Sequence, residues 1–339
     1  MTSRERVHLA LQCREPDRVP YCELAVDRAL ARKLMGWGKP SGQAANLEKN
    51  TYTVEEAKAI AEKLHMDNIC YVLRAPVFAN KEPGIDGRLF YGEGQLQTAD
   101  DLTKMKLPDP ADDSLYADAE EFLKGKGAYS TWFVTRMGIF ATMLSMGLQQ
   151  FSVALFDDRP LIEEIFDRYC NWMVEVAGRV CQLGFDVFVT TDDVAFKNAP
   201  FFSPDIFREL VLPRYQRVAE QISIPWIFHS DGNIHPFLDD LLTLPIDGLH
   251  PMEDGAMDIQ QVKQQYGKRA CLLGNVNLNL LGLGEPEAVD VTVKKLIREI
   301  GPGGGYIVTS GNSLAGYLEP ANVMAMSRAV QKYGAYPLT

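Results

Sequence analysis

The chain lacks paired cysteines. Its six, Cys13, Cys22, Cys70, Cys170, Cys181 and Cys271, form no CxxC pair and no tight cluster. That spacing excludes a zinc ribbon, and thiols, several of them buried, are expected in a reducing compartment. Long apolar runs are missing as well: none approaches the roughly 18 residues that span a bilayer. Positive charge is in deficit, with 34 Lys and Arg against 45 Asp and Glu and a net charge of −11. A nucleic-acid surface is thereby disfavoured, because phosphates need a basic stripe. No Gly-rich phosphate turn follows the first apolar segment, YCELAVD, which counts against a dinucleotide-binding open sheet. GPGGGY at 301–306 precedes an apolar run and reads as a helix-ending turn. The N-terminal MTSRERVHLALQ is charged and amphipathic and no apolar signal core follows it, so a cytoplasmic protein is expected.

What is present is regular alternation. A chain of 339 residues suffices for one large barrel or two ordinary domains. Apolar segments recur as RVPYCEL, DNICYVL, AYSTWFV, DVFVTTD, PWIFHSD, DGLHP, CLLGNV and YIVTSG. Helical patterns lie between most of them, including TVEEAKAIAEKLH, PLIEEIFDRYCNWMVEVAGRVCQLG, SPDIFRELVLPRYQRVAEQ and EPEAVDVTVKKLIREI. Apolar strands joined by helices form parallel sheets covered on both faces. Eight of them predict an α/β fold, a (β/α)8 TIM barrel forming a single domain over 1–339. A short N-terminal helix precedes it, capped by Thr2 or Ser3. Residues 75–127 break the pattern and read as an insertion over the barrel mouth, with a small hairpin in VFANKEPGIDGRLFYGEG.

Barrel active sites lie at the C-terminal ends of the strands. There the sequence places Cys22 and Glu23, Arg74, Arg136, Asp192 and Asp193, His229, Ser230 and Asp231, His250, Glu253 and Asp254, Asn275 and Asn277, and Ser310 and Asn312. This ring is expected to hold more acids than bases, and crowded carboxylates call for a proton or a divalent cation between them. Structural alternatives stand beside that reading. Asp231 caps the following helix IHPFLDDLL, His229 is a satisfied core histidine, Asp192 pairs with Arg136, and Glu209 is an exposed helical glutamate.

TSRERVHLALQCREPDRVP, FHSDGNIHPFLDDLLTLPIDGLHPME, KRACLLGNVN and GGGYIVTSGNSL together resemble the uroporphyrinogen decarboxylase superfamily over nearly the whole chain. The resemblance implies a (β/α)8 barrel and two activities, decarboxylation of uroporphyrinogen or corrinoid-dependent methyl transfer, the latter in anaerobes and methylotrophs. The decarboxylases carry an arginine-rich segment resembling RQAGRY near their start, where this chain has YCELAVDRALARKL. Thiol-methylating members bind zinc through a His-x-Cys pair and a later cysteine. Here His229 matches, Asp231 replaces the first cysteine, and TSGNS with Ser310 stands near the second.

The chain is therefore expected to be similar to the ether-cleaving O-demethylase methyltransferases. That similarity implies zinc on Asp193, Glu209 and His229, with Asp231 as a substitute ligand. His229, Asp231 and Glu253 are the expected catalytic groups. Tyr21, Phe133, Arg136, Phe196, Asn275 and Asn312 are the expected substrate contacts. No Asp-x-His-x-x-Gly segment for cobalamin is present, so the corrinoid is expected on a separate partner protein, with a small methylated donor, an aryl methyl ether, as the expected substrate. A decarboxylase, transfer from methylcorrinoid to another acceptor, and a catalytically silent corrinoid- or ligand-binding barrel remain as alternatives, and a homodimer is left open.

Overall fold

The computed structural model describes residues 1–38, 50, 52–84 and 89–338. Among these the chain forms eleven strands: β1 (Asn68–Val72), β2 (Ala79–Pro83), β3 (Leu89–Gly94), β4 (Ser130–Thr135), β5 (Val187–Thr191), β6 (Ala195–Phe196), β7 (Ala199–Pro200), β8 (Trp226–His229), β9 (Gly248–His250), β10 (Cys271–Val276) and β11 (Tyr306–Ser310). Seven of the eight expected segments make one curled parallel sheet in the order β1-β4-β5-β8-β9-β10-β11. The eighth, around RVPYCEL, forms no regular strand. Tyr21 makes a single parallel bridge to Val308. The Cys22 N–H donates to the Val308 carbonyl at 3.1 Å, and the Asp67 N–H donates to the Tyr21 carbonyl at 2.7 Å. The segment thus touches both edge strands, and Pro20, which has no N–H, limits regular pairing.

Side chains alternate along each strand. Trp132, Val134, Val187, Val189, Ile227, Cys271, Leu273 and Ile307 pack together inside the curl, against Val7, Ala10 and Leu11. Their neighbours Phe133, Phe188, Trp226, Phe228, Leu272 and Tyr306 face outward, under the helices. Both faces are apolar because both are covered. The three residues from position 7 onward belong to the N-terminal helix Ser3–Leu11, which starts in a Thr2/Glu5 capping box. That helix closes the floor of the curl.

Most helical patterns form as expected, but SPDIFRELVLPRYQRVAEQ does not run as one α-helix. A π-helical stretch, Phe207–Val211, interrupts it before Leu212–Ala219. Pro213 lacks the N–H that an α-helix would direct to the Glu209 carbonyl, and the wider turn absorbs that loss. IHPFLDDLL forms a short 3-10 turn and a four-residue helix, Leu238–Leu241. The side chain that accepts from the His235 N–H is Asn233, at 3.1 Å, so Asp231 is not this element's cap. The β2–β3 hairpin forms and packs on helix Ile139–Met146, with the Leu96 N–H bonded to the Ser145 carbonyl at 2.9 Å. Among the described residues no single helix is long and apolar enough to cross a membrane.

One buried ionic knot ties the N-terminus to the sheet. The Asp67 side chain is fully buried and sits 2.6 Å from Arg6 Nη1 and 2.9 Å from Arg18 Nη1. It also accepts from the Tyr21 N–H at 3.0 Å and from the Ser3 hydroxyl at 2.9 Å. Removing one partner of such a knot strands the others without compensation. Asp67→Ala is expected to cost about 3–5 kcal/mol in a denaturant titration. An unchanged midpoint would show that Arg6 and Arg18 find water or Asp17 instead.

Candidate active site

Where the strands end, the inward alternation continues into the loops. Val189 points in, and so do Thr191 and Asp193; Ile227 leads to His229 and Asp231, and Val134 to Arg136. Thr191, Asp193, His229, Asp231 and Arg136 line an open cleft of about 550 Å³ together with Arg74, Phe140 and Asn312. Arg28, Arg74 and Arg136 share its walls with Asp27, Asp193 and Asp231. The expected excess of acids over bases is absent from the cleft. Arg28 enters from the N-terminal segment, where no strand tip was expected to deliver it.

Asp193, His229 and Asp231 converge, each offering one ligand atom within 4.8 Å of the others. His229 Nε2 lies 3.6 Å from Asp193 Oδ1 and 3.7 Å from Asp231 Oδ1. Those separations are too long for N–H···O hydrogen bonds. They are close to the roughly 3.4 Å edge of a zinc tetrahedron with bonds near 2.1 Å. Asp231 Oδ1 is buried with no hydrogen-bond partner, an arrangement that costs free energy unless a cation or proton satisfies it. The donor set and its spacing therefore fit a divalent ion such as zinc.

The surroundings hold this trio in place. Asn312 Nδ2 donates to Asp231 Oδ2 at 2.5 Å, and the Asp231 N–H donates to Asp193 Oδ1 at 3.0 Å. The Gly232 N–H donates to Glu253 Oε2 at 2.8 Å. Burial first, then the Asp193 and Glu253 carboxylates, push the Asp231 carboxyl up to about 8. Burial lowers His229, Asp193 opposes that shift, and Arg74 adds to it, so the imidazole is held neutral. Its Nδ1 is 2.6 Å from Nδ1 of His250, and the two rings stack at 4.9 Å. His250 is buried and also lowered, by burial and by His229. With the shared proton on His229 Nδ1, its Nε2 presents a lone pair to the two carboxylates, the form a metal ligand needs.

The other expected site residues divide. Arg136 and Asn312 line the cleft, and Glu253 stands beside Asp231. Glu209 does not reach the trio. Its side chain is exposed on the π-helical stretch and pairs with Arg159 at 2.9 Å, and the third carboxylate beside Asp193 and His229 is that of Asp231. Phe133 faces outward, with its ring 5.6 Å from Phe188. Phe196 is exposed on the β6–β7 hairpin, stacked on Phe201 at 5.6 Å. Tyr21 is wholly buried in the outer core. Asn275 donates to the Met252 carbonyl at 2.6 Å and lines a neighbouring groove with Asp254 and Asn277. Asp192, one peptide from Asp193, points outward as alternation requires. It accepts from the N–H groups of Gly138, Ile139 and Phe140 and from the Tyr215 hydroxyl, a structural role filled by a helix start and not by an Arg136 ion pair. The orienting role of His250 and the arrival of Arg28 are the features that sequence reasoning missed.

Residues 93–333 match the family model for uroporphyrinogen decarboxylase (URO-D). The chain belongs to the uroporphyrinogen decarboxylase family. Curated relatives include the uroporphyrinogen decarboxylase of Alkalilimnicola ehrlichii, 22% identical over 268 residues, covering 74% of this chain and 72% of the relative. That of Neisseria meningitidis serogroup C is 22% identical over 267 residues, covering 72% and 73%. A solved methyltransferase from Methanosarcina mazei superposes with a TM-score of 0.77 at 19% identity, over 98% of this chain and 99% of that one. The two chains thus share one fold over nearly their whole lengths.

The Ser310 hydroxyl and N–H contact the buried Glu23 carboxyl at 2.6 and 2.9 Å. Burial pushes Glu23 up from 4.5 to about 8, against the lowering pull of those two bonds. The folded protein then keeps a proton that the unfolded chain releases. This contribution to stability is whole below pH 4.5, declines as pH rises, and is lost on passing through about 8. Glu23→Gln is expected to flatten the fall of melting temperature across that window relative to wild type; parallel curves would mean Glu23 is ionised in the fold. A second expectation concerns His250. His250→Phe keeps the stacked ring but removes the Nδ1 contact, and zinc affinity is expected to drop about 10- to 100-fold with the fold retained. Unchanged affinity in a competitive chelator titration would show that His229 needs no such support.

Proposed function

We propose that this family member is a methyltransferase that takes a methyl group from a small aryl methyl ether and passes it to cob(I)alamin, a substrate delivered on a separate corrinoid protein. The observation that carries the reading is the trio Asp193, His229 and Asp231 at adjoining strand tips, spaced for a cation and opening on a cleft. The segment around Tyr21 serves in this reading as the eighth stave of a (β/α)8 barrel. The likeness to the Methanosarcina mazei methyltransferase supports it at the level of fold.

A zinc ion held by the trio would supply Lewis-acid polarisation of the ether oxygen, whose phenoxide is otherwise a poor leaving group. The chain's own residues do the rest. His250 fixes the His229 tautomer, and Asn312 fixes the Asp231 carboxylate. Glu253, anchored by the Gly232 N–H, stands beside Asp231 and orients that part of the site, and the released phenoxide takes its proton from solvent. Val72, Phe140, Leu24 and Leu314 give the ring an apolar wall. In balance, the methyl–oxygen bond breaks, the methyl carbon bonds to cobalt with the acceptor's electron pair, and the phenoxide takes up a proton.

A second reading, decarboxylation of uroporphyrinogen, is favoured by the names of the curated relatives and by the three arginines of the cleft. The missing arginine-rich opening segment still weighs against it. One set of assays separates the two. Purified protein is analysed for metal, then given ortho-methoxyphenol with a reduced corrinoid protein, or uroporphyrinogen alone. His229→Ala is expected to lose at least about tenfold in metal affinity and nearly all methyl transfer. Metal-free wild type that is fully active in chelator would make His229 an acid or a hydrogen-bond donor. Coproporphyrinogen formed at ordinary enzymatic rates would reverse the ranking.

A further inference from the structure

Glu23 is a buried carboxyl that the proposed chemistry leaves unused, and it sits where the curled sheet closes. There the pairing between the Tyr21 segment and β11 is interrupted. The Val308 N–H donates to the Pro20 carbonyl at 3.0 Å, and the Val308 carbonyl accepts from the Cys22 N–H at 3.1 Å. The next rung of a parallel ladder would send the Ser310 N–H to the Cys22 carbonyl. It goes instead to Glu23 Oε1 at 2.9 Å, and the Ser310 hydroxyl meets Glu23 Oε2 at 2.6 Å. The backbone of Glu23 is diverted as well. Its N–H donates to Asn68 Oδ1 at 3.1 Å, and its carbonyl accepts from Asn68 Nδ2 at 2.9 Å. The side chains of Glu23 and Asn68 thus stand in for strand pairing at the two edges of the sheet. Both residues are buried, as is Ser310.

Pairing resumes at Leu314, whose N–H donates to the Ala25 carbonyl at 3.0 Å and whose carbonyl accepts from the Asp27 N–H at 2.7 Å. The stretch between is held at one end by Glu23 and at the other by Ala25 and Asp27, and Asn312 lies at its middle. The Ser313 hydroxyl donates to Asn312 Oδ1 at 3.1 Å, which leaves Nδ2 to donate to Asp231 Oδ2 at 2.5 Å. We propose that Glu23 is a positioning residue for the trio: by holding Ser310 it sets the tip of β11 so that Asn312 reaches Asp231. This rests on reading Asp193, His229 and Asp231 as a metal site, and it concerns a residue that touches neither metal nor substrate. A strand rung would hold only the Ser310 N–H. The carboxyl holds the N–H and the hydroxyl together, which fixes the direction in which the chain leaves the strand. On the far side the Gly311 N–H donates to the Val276 carbonyl at 2.8 Å, so the turn that leads to Asn312 is tied from both flanks. A Glu23 with a purely structural role would alter stability and leave metal binding as it is. Coupling to Asn312 is what separates the two roles.

The test reads metal binding by the full chain, with zinc in a competitive chelator titration and with cobalt(II), whose visible spectrum reports the shape of its ligand set. Glu23→Ala is expected to weaken zinc binding about tenfold, as loss of a group behind the ligands does, and to alter the cobalt bands. Glu23→Gln still accepts from the Ser310 N–H and donates to its hydroxyl, and is expected to restore both. Asn312→Ala supplies the cycle. Glu23→Ala is expected to add little to the loss that Asn312→Ala causes alone, since members of one network are not additive. Where Glu23→Ala melts too early to assay, Ser310→Ala takes its place in the same cycle, with a smaller loss in the same direction. Losses that add in full overturn the proposal. So does a folded Glu23→Ala or Ser310→Ala variant with wild-type affinity and spectrum, or a glutamine variant as weak as the alanine one. Each of those outcomes leaves the methyltransferase reading standing. Wild type that binds neither zinc nor cobalt overturns both, because no metal site is then there to be positioned.

Discussion

In a parallel strand covered on both faces, every second side chain points into the curl and the rest point under the helices. The whole site of this protein depends on that two-residue rhythm continuing past the last hydrogen bond of each strand. It sends Asp193, His229, Asp231 and Arg136 into one cleft. It sends Asp192 outward, into the start of a helix, although Asp192 and Asp193 are adjacent in the chain. No single contact builds the site; the pleat sorts the tip residues, and local bonds such as Asn312 to Asp231 then fix them.

The fold was legible because burial on both faces leaves an unmistakable mark: short apolar runs, spaced by amphipathic stretches. The strand tips were legible for the same reason, since polar residues break those runs abruptly. What could not be read without tracking the pleat was direction. Phe133 sits between Trp132 and Val134, and composition alone does not say which of the three faces the cleft. Phe196 fails for a different reason, because the hairpin carrying it leaves the strand and the rhythm ends. Glu209 was placed by family likeness. The turn that accommodates Pro213 sets it on the surface, where Arg159 is its partner.

Charge was the subtler error. Counting acids and bases along the sequence suggested a cleft short of cations, yet three arginines line it. Net charge is a property of the whole surface and says little about one concavity. Here the positive groups arrive from three separate places, the N-terminal segment and the tips of β1 and β4. Three arginines and three aspartates thus line one cleft, so its lining is balanced in charge although the chain as a whole is acidic.

Asp192 also couples two parts of the molecule that look separate. Its carboxylate receives the N–H groups of Gly138, Ile139 and Phe140 at the start of helix Ile139–Met146, and its backbone is joined directly to Asp193. The same helix supplies Phe140 to the cleft wall and bears the β2–β3 hairpin, whose Gly94 abuts the Met146–Gly147 backbone so closely that a methyl group there would collide with it. Hairpin, wall and carboxylate therefore share a single foundation. Pressure on the hairpin's rim therefore bears on a helix whose start is bonded one peptide away from the trio.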